Sequence, residues 1–268
     1  QMKLAFHGDK VKVRLLNRKL DAEIVQVTQT VKTLVGRLHI DQKESYVVVD
    51  DKRIKHQIDI VELLESCVDN QVVVVEVLTS PTLEKNATGK VSSIIGNYMD
   101  EGVEVDSALH RHQIPSTFGD KALEETAKLP SKVLAKDKKN RTDITNLELV
   151  TIDGEDSRDF DDAVYAVPSS NGWKLIVAIA DVSHYVKEGS GLDAESLERG
   201  NSVYFPHRVV PMLPEAISNG LCSLNPEVER LCMVCEMEID PIGSLLEYRF
   251  YPAVMLSHAR LTYTEVNE

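Results

Sequence analysis

LELVTIDGEDSRDFDDAVYAV, residues 147–167, is the stretch on which the reading of the chain turns, because two apolar β-type runs flank a knot of negative charge. Six acidic side chains fall within the ten positions from Asp153 to Asp162. LELVTID reads as a strand that enters the cluster and DDAVYAV as a strand that leaves it, with Gly154 and Ser157 in the turn between them. Like charges this close repel, and each carboxylate raises the proton affinity of its neighbours. Four of them, Asp153, Asp159, Asp161 and Asp162, have the spacing D-x5-D-x-D-D. A strand ending at Asp153 and a second beginning near Asp161 can bring the first aspartate opposite the other three. Oxygen donors without a neighbouring His or Cys select a hard cation, so the expected metal is Mg²⁺, with Mn²⁺ as a substitute, rather than Zn²⁺.

Other readings of the cluster fare differently. A calcium loop requires glycine at position six and glutamate at position twelve. Counted from Asp153 those positions hold Arg158 and Val164, and counted from Asp159 they hold Val164 and Ser170. A glycosidase pair needs aromatic platforms for sugar, and aromatics are 5% of the chain. On spacing alone, a solvated acidic turn remains open. Glu155 and Asp156 share the turn and are read as supporting or surface charges.

Outward from the cluster, Asn171-Gly172 is a strong hairpin signal between apolar strands. GLDAESLERG (191–200) is helical and ends at Gly200, NSVYFPHRVVPMLP is extended, and a second hairpin is expected around Asp240-Pro241-Ile242-Gly243. No closing signal is read in SHARLTYTEVNE. Cys232 and Cys235 alternate along LCMVCEMEI, so their thiols point to opposite faces and read as core cysteines. Asp181 either orients a ligand or caps the next turn. His184 and His258 read as packed or surface residues, and His110 and His112 as surface residues.

The first hundred residues form short alternating segments at 10–16, 22–29, 33–40, 45–50, 71–78 and 90–96, the pattern of antiparallel β structure, either small barrels or a sandwich. An OB-type barrel fits from about residue 33 to 100. Residues 101–146 read as a linker with a short helix at 120–129, stopped by Pro130. The net charge of −13 is uneven. Residues 1–40 carry Lys3, Lys10, Lys12, Arg14, Arg18, Lys19, Lys32 and Arg37 against Asp9, Asp21 and Glu23. A basic front and an acidic back suit a chain that meets a polyanion with one part and a metal with another. At 268 residues and 43% hydrophobic content, about two domains are expected. No apolar run approaches the roughly 18 residues of a membrane span, no signal-peptide core is present, and a cytoplasmic location without membrane attachment is expected.

TIDGEDSRDFDDAVYA closely resembles the signature of the ribonuclease II and ribonuclease R family, with the greater likeness to bacterial ribonuclease R. The resemblance continues through VAIADVSHYV (177–186), GNSVYFPHRVVPMLPEAISNGLCSLNP (200–226), LCMVCEME (231–238) and SHARLTYTEV (257–266). HGDKVKV (7–13) resembles the end of a first cold-shock domain and VGRLHI (35–40) the start of a second. The implied fold is α+β: a small antiparallel OB or cold-shock barrel followed by the N-terminal part of a mixed α/β catalytic RNB domain. The implied parts are a remnant of a first barrel at 1–32, a barrel at 33–100, a linker at 101–146 and a truncated catalytic domain at 147–268. The implied activity is processive, metal-dependent 3′-to-5′ hydrolysis of single-stranded RNA to nucleoside 5′-monophosphates, acting as a monomer on the RNA 3′ end.

On that resemblance, Asp153, Asp159, Asp161 and Asp162 are the catalytic and metal-binding residues. They would hold two divalent ions about 4 Å apart that clamp the scissile phosphate. Tyr204 is the RNA-binding residue that stacks on the terminal base. The family's catalytic domain continues past residue 268 and carries a second stacking aromatic and a catalytic arginine there, so the chain reads as a fragment expected to be inactive on its own. The alternative from another class is a non-catalytic single-stranded RNA-binding OB module whose acidic turn is structural.

Overall fold

A computed structural model describes residues 5–16, 22–41 and 44–268, and the chain divides into two units, 1–116 and 117–268. Of the basic residues counted above, Lys3, Arg18 and Lys19, with the acidic Asp21, lie outside the described residues. In the first unit β1 (Lys10–Leu15) and β2 (Ala22–Gln29) pair as an antiparallel ribbon. Asp9 ties the ends of this ribbon together: one carboxylate oxygen accepts from the Phe6 N–H and the other from the Val31 N–H, each at 2.8 Å.

Then follow β3 (Thr33–Ile40), β4 (Ser45–Val49), β5 (Gln57–Glu62), β6 (Gln71–Thr79) and β7 (Ala87–Asn97). They close into a five-stranded barrel in the order β3-β4-β5-β7-β6. The alternation of the sequence sends Leu38, Val47, Ile58, Val73 and Val75 into an interior without solvent access. Gly36 is required where β3 meets β4, since a Cβ there would lie 2.3 Å from the Val48 carbonyl oxygen. The sequence reading omitted β5, whose QIDIVE carries only two interior isoleucines between acids. β5 pairs antiparallel with β4 across residues 50–56, too long a connection for a tight turn to announce it, and parallel with β7, so the barrel is not wholly antiparallel. α1 (Val103–Arg111) also forms ahead of the expected helix, with Val103 packed on Val35, Val72 and Val74 of the barrel wall.

The second unit begins with α2 (Asp120–Ala127), the expected short helix, then a 3-10 turn at Ala135–Lys138. β8 (Thr142–Asp143), β9 (Leu149–Asp153), β10 (Asp162–Ser169) and β11 (Gly172–Ala180) come next. α3 (Val182–Tyr185), α4 (Gly191–Arg199), β12 (Val203–Phe205) and β13 (Arg208–Val210) follow. A π-helical turn at Ala216–Leu221 leads to β14 (Glu229–Ile239), β15 (Leu245–Thr262) and α5 (Tyr263–Asn267). Both expected hairpins form. β10 turns into β11 at Ser170-Asn171, with Gly172 at φ 133°. Asp240 fixes the β14–β15 turn by accepting from Ile242 and Ser244 N–H groups, and Gly243 takes φ 89°.

The sheet order is β14-β11-β10-β9-β15-β8, and β15 is long enough to pair with β14 along its first part and in parallel with β9 along its last. That parallel pairing sets Thr262 beside Asp153. Thr262 and Glu265 form a capping box, not singled out in the sequence, that starts α5. The core gathers Leu149, Ile217, Leu224, Leu231, Val234 and Met255. Cys232 is buried within it and burial pushes its thiol up to about 12, while Cys235 is half-buried on the opposite face. Among the described residues no helix is long and apolar enough to cross a membrane.

Leu149 has no solvent access at the root of the strand that ends in Asp153. Leu149→Ala is expected to destabilise the second unit by about 2–5 kcal/mol, read as a lower urea midpoint, because a cavity there can collapse little.

Candidate functional site

The four singled-out aspartates lie at one end of the sheet. β9 and β10 pair antiparallel at Val150 and Val164, so the same register extended past the strand ends sets Asp153 against Asp161. Asp153 and Asp159 are half-buried, whereas Asp161 and Asp162 keep solvent access. Between them Phe160 plunges into the core at 2% exposure, which turns the flanking carboxylates the other way.

Their fields act on one another. Burial raises the Asp153 carboxyl above its ordinary value, the negative charges of Asp162 and Asp159 raise it further, and Arg260 offsets part of this. The Asp161 carboxyl is raised first by the protein mass around it and then by Asp159, Asp153 and Asp162. One oxygen of Asp153, Oδ2, is buried without a hydrogen-bond partner. A buried acceptor left this way carries an uncompensated desolvation cost.

Asp153 and Asp159 face an open cleft of about 1190 Å³, whose other walls include Tyr204, Arg158, Arg208 and Arg260. Tyr204, on the β12–β13 hairpin, donates its hydroxyl to Asp159 Oδ2 at 2.7 Å while its ring stays 59% exposed. Burial of the hydroxyl, that hydrogen bond and the nearby aspartates push its pKa up to about 12. Arg260 lies in the last part of β15, donates to the Glu155 carbonyl at 2.7 Å and sets its guanidinium over the Phe160 ring. Glu155 also accepts from the Thr264 hydroxyl, so it braces the turn against α5, and Asp156 is exposed.

Asp153, Asp159 and Tyr204 share the cleft, while Asp161 and Asp162 lie within range of the other carboxylates without lining it; among the described residues no three of His, Cys, Asp and Glu are placed to hold a metal ion. The donor chemistry nevertheless fits a hard cation. The donors are all carboxylate oxygen, one is an orphaned buried acceptor, and two have proton affinity raised by burial and by one another's negative charge. Arg260 and Arg208 were not picked out from the sequence. Arg260 stands in SHARLTYTEV, yet its contact with Glu155 spans 105 residues, and no local pattern carries that.

Asp181 belongs to a different assembly. It is 6% exposed, pairs with Arg141 at 2.5 Å and accepts from the Ser183 hydroxyl at 2.7 Å. Burial alone would raise its carboxyl, but the hydrogen bonds from Ser183 and Arg141 and the Arg141 charge together hold it below the ordinary range. Arg141 also donates to the Asp137 and Cys232 carbonyls. His184, for which the sequence named no partner, lies 3.3 Å from Asp137 and edge-on to Tyr185. This network ties the segment before β8 to the end of β11. Asp181 neither faces the cleft nor caps α3 with its side chain.

Comparison with known proteins follows the same outline. Residues 141–268 match the RNB domain family and residues 46–119 the cold shock domain family. The chain is 46% identical over 275 residues to ribonuclease R of Vibrio cholerae, with 100% of this chain and 34% of that protein aligned. It is 47% identical over 273 residues to ribonuclease R of Escherichia coli K12, with 99% of this chain and 34% of that protein aligned. It therefore spans about a third of the length of these relatives. The solved structure of Mycoplasma genitalium RNase R in complex with ribose methylated single-stranded RNA superposes with a TM-score of 0.90 at 29% identity. That match covers 99% of this chain and 43% of the other.

Two measurements check this geometry. Because the folded Asp161 has a raised pKa, its ionisation costs stability once pH exceeds the unfolded value near 3.8. In chelator at pH 7, Asp161→Asn is expected to raise the melting temperature, and the gain should vanish below that value, where wild-type Asp161 is protonated in both states. Arg141→Met strands a buried carboxylate and is expected to cost about 3–5 kcal/mol at pH 7. Since the folded Asp181 pKa is depressed, the pair's contribution is present above 3.8 and is lost on further acidification, so the gap between Arg141→Met and wild type should narrow in acid.

Proposed function

The chain belongs to the ribonuclease R family of RNB-domain proteins, and from that membership and the cleft we propose that it carries the hydrolytic face of a divalent-metal-dependent 3′-to-5′ exoribonuclease. The substrate is single-stranded RNA and the product nucleoside 5′-monophosphate. A relative of 29% identity was solved with ribose methylated single-stranded RNA, and that ligand class is carried over here as part of the proposal. The same reading makes the protein a monomeric cytoplasmic enzyme. The observation that carries it is the gathering of Asp153, Asp159, Asp161 and Asp162 beside Tyr204, whose ring is open to the cleft.

Asp153, Asp159, Asp161 and Asp162 would hold Mg²⁺ or Mn²⁺, reached by rotation of their side chains on a fixed backbone. Bound there, the cation supplies charge neutralisation at the phosphate and makes water a competent nucleophile near neutral pH. Tyr204 contributes stacking on the terminal base, about 1–3 kcal/mol and indifferent to base identity. Its hydroxyl bond to Asp159 fixes the angle of the ring. Arg260, on the cleft wall, offers positive charge to an incoming phosphate that the aspartates would otherwise repel. Water adds to phosphorus, the bond to the 3′-oxygen of the penultimate nucleotide breaks, and the terminal nucleotide leaves with its 5′-phosphate.

The test uses 5′-labelled single-stranded RNA with Mg²⁺ or Mn²⁺. Placed in a protein of the relatives' full length, these residues are expected to give progressive shortening from the 3′ end, stopped by chelator and reduced about 100-fold or more by Asp161→Asn, while the 268-residue chain alone is expected to give little or none. Loss of a residue supporting a metal ligand already costs up to about that much, and Asp161 is proposed as a ligand itself. RNA binding that weakens with salt, ignores chelator and leads to no cleavage would instead identify a non-catalytic binding module.

A further inference from the structure

The acidic turn has no regular secondary structure from Gly154 to Asp161, yet its backbone is held at consecutive peptide groups by donors and acceptors from elsewhere in the unit. The hydroxyl of Ser223 makes two of these bonds. It donates to the Arg158 carbonyl at 2.9 Å and accepts from the Phe160 N–H at 3.1 Å, a dual role open to a hydroxyl. Those two groups belong to the peptide planes on either side of Asp159. One oxygen therefore restrains both backbone torsions of Asp159. The next plane is held by the Leu224 N–H on the Phe160 carbonyl at 2.8 Å, and the one after by the Ala180 N–H on the Asp161 carbonyl at 2.8 Å.

Ser223 is itself immobilised. It has no solvent access, and its carbonyl accepts from Nε of Arg230 at 2.8 Å, a guanidinium only 8% exposed. The π-helical turn at Ala216–Leu221 delivers it to this position, and such turns recur beside functional sites. A buried hydroxyl is a costly way to fill a core position, because both of its hydrogen-bonding capacities must be met. Here both are met by the turn that carries the carboxylates.

We infer that Ser223 is a positioning residue for the carboxylate centre, acting through the backbone of Asp159 and held in turn by Arg230. This rests on the metal-binding reading above. The cation is captured by side-chain rotation alone, because the backbone between residues 158 and 162 is already set before it arrives. Without the hydroxyl, the Arg158 carbonyl and Phe160 N–H lose their shared partner, and Asp159 loses its direction relative to Asp153 and Asp161.

The experiment is titration of Mn²⁺ alone into the chain, read by the electron paramagnetic resonance signal of free Mn²⁺, for wild type, Ser223→Ala and Ser223→Cys. Fold is checked in parallel by near-ultraviolet circular dichroism and melting temperature. Ser223→Ala is expected to raise the Mn²⁺ dissociation constant about 10- to 100-fold while the fold persists. Ser223→Cys, with a weaker donor and acceptor, is expected between the two. An alanine variant that melts earlier but binds Mn²⁺ as wild type does would show a purely structural serine and overturn this inference alone. A folded cysteine variant of unaltered affinity overturns it as well, even where the alanine variant fails to fold. Absence of Mn²⁺ binding by the wild-type chain overturns the metal-binding reading and this inference with it.

Discussion

Everything distinctive about the second unit follows from electrostatic repulsion that the fold declines to relieve. Two unit charges about 4 Å apart interact by about 4 kcal/mol at the effective permittivity of a protein surface and by about 1 kcal/mol in water. A single intramolecular hydrogen bond returns only about 1 kcal/mol net. The bonds that hold the acidic turn are therefore too weak individually to force the aspartates together. Burial does more: Phe160 at the centre of the turn and Leu149 at the root of β9 each contribute about 1.5–3 kcal/mol. The hydrogen bonds then decide which conformation of the turn is allowed, and the apolar anchors make it worth adopting.

That division of labour accounts for the raised carboxyls of Asp153 and Asp161 and for the buried, unpartnered oxygen of Asp153. The same unit shows the contrasting solution at Asp181. There a more deeply buried carboxylate is neutralised by Arg141 and a serine hydroxyl, and its pKa moves down instead of up. One carboxylate is satisfied from within the chain. Asp153 is offset only in part, by Arg260.

The cleft also bears on how a chain of net charge −13 could accept the proposed polyanionic ligand. Much of the negative charge nearest the ligand path lies in the aspartate cluster, where a bound cation would cancel it. Arg158, Arg208 and Arg260 stand on the walls of the same cleft, so positive charge is present there alongside Asp153, Glu155, Asp156, Asp159 and Glu215. The ring of Tyr204 is exposed beside them.

Local pattern in the chain was enough for the strands on both sides of the aspartates, the turn between them, the hairpins at Asn171-Gly172 and Asp240 to Gly243, and four of the five barrel strands. These features rest on alternation, turn chemistry and spacing, all of which operate within a dozen residues. β5 escaped because no tight turn joins it to antiparallel β4 and its other partner β7 is parallel and distant, α1 because its apolar face is only a few residues wide, and α5 because it is only 5 residues long. The contacts that give the site its shape are of another kind. Ser223 meets Phe160 across 63 residues, Arg260 meets Glu155 across 105, and β15 sets Thr262 beside Asp153. Which distant segment arrives, and in which register, depends on packing of the whole sheet. A pattern read along the chain contains the donors and the acceptors but not their pairing, and only the folded unit supplies that.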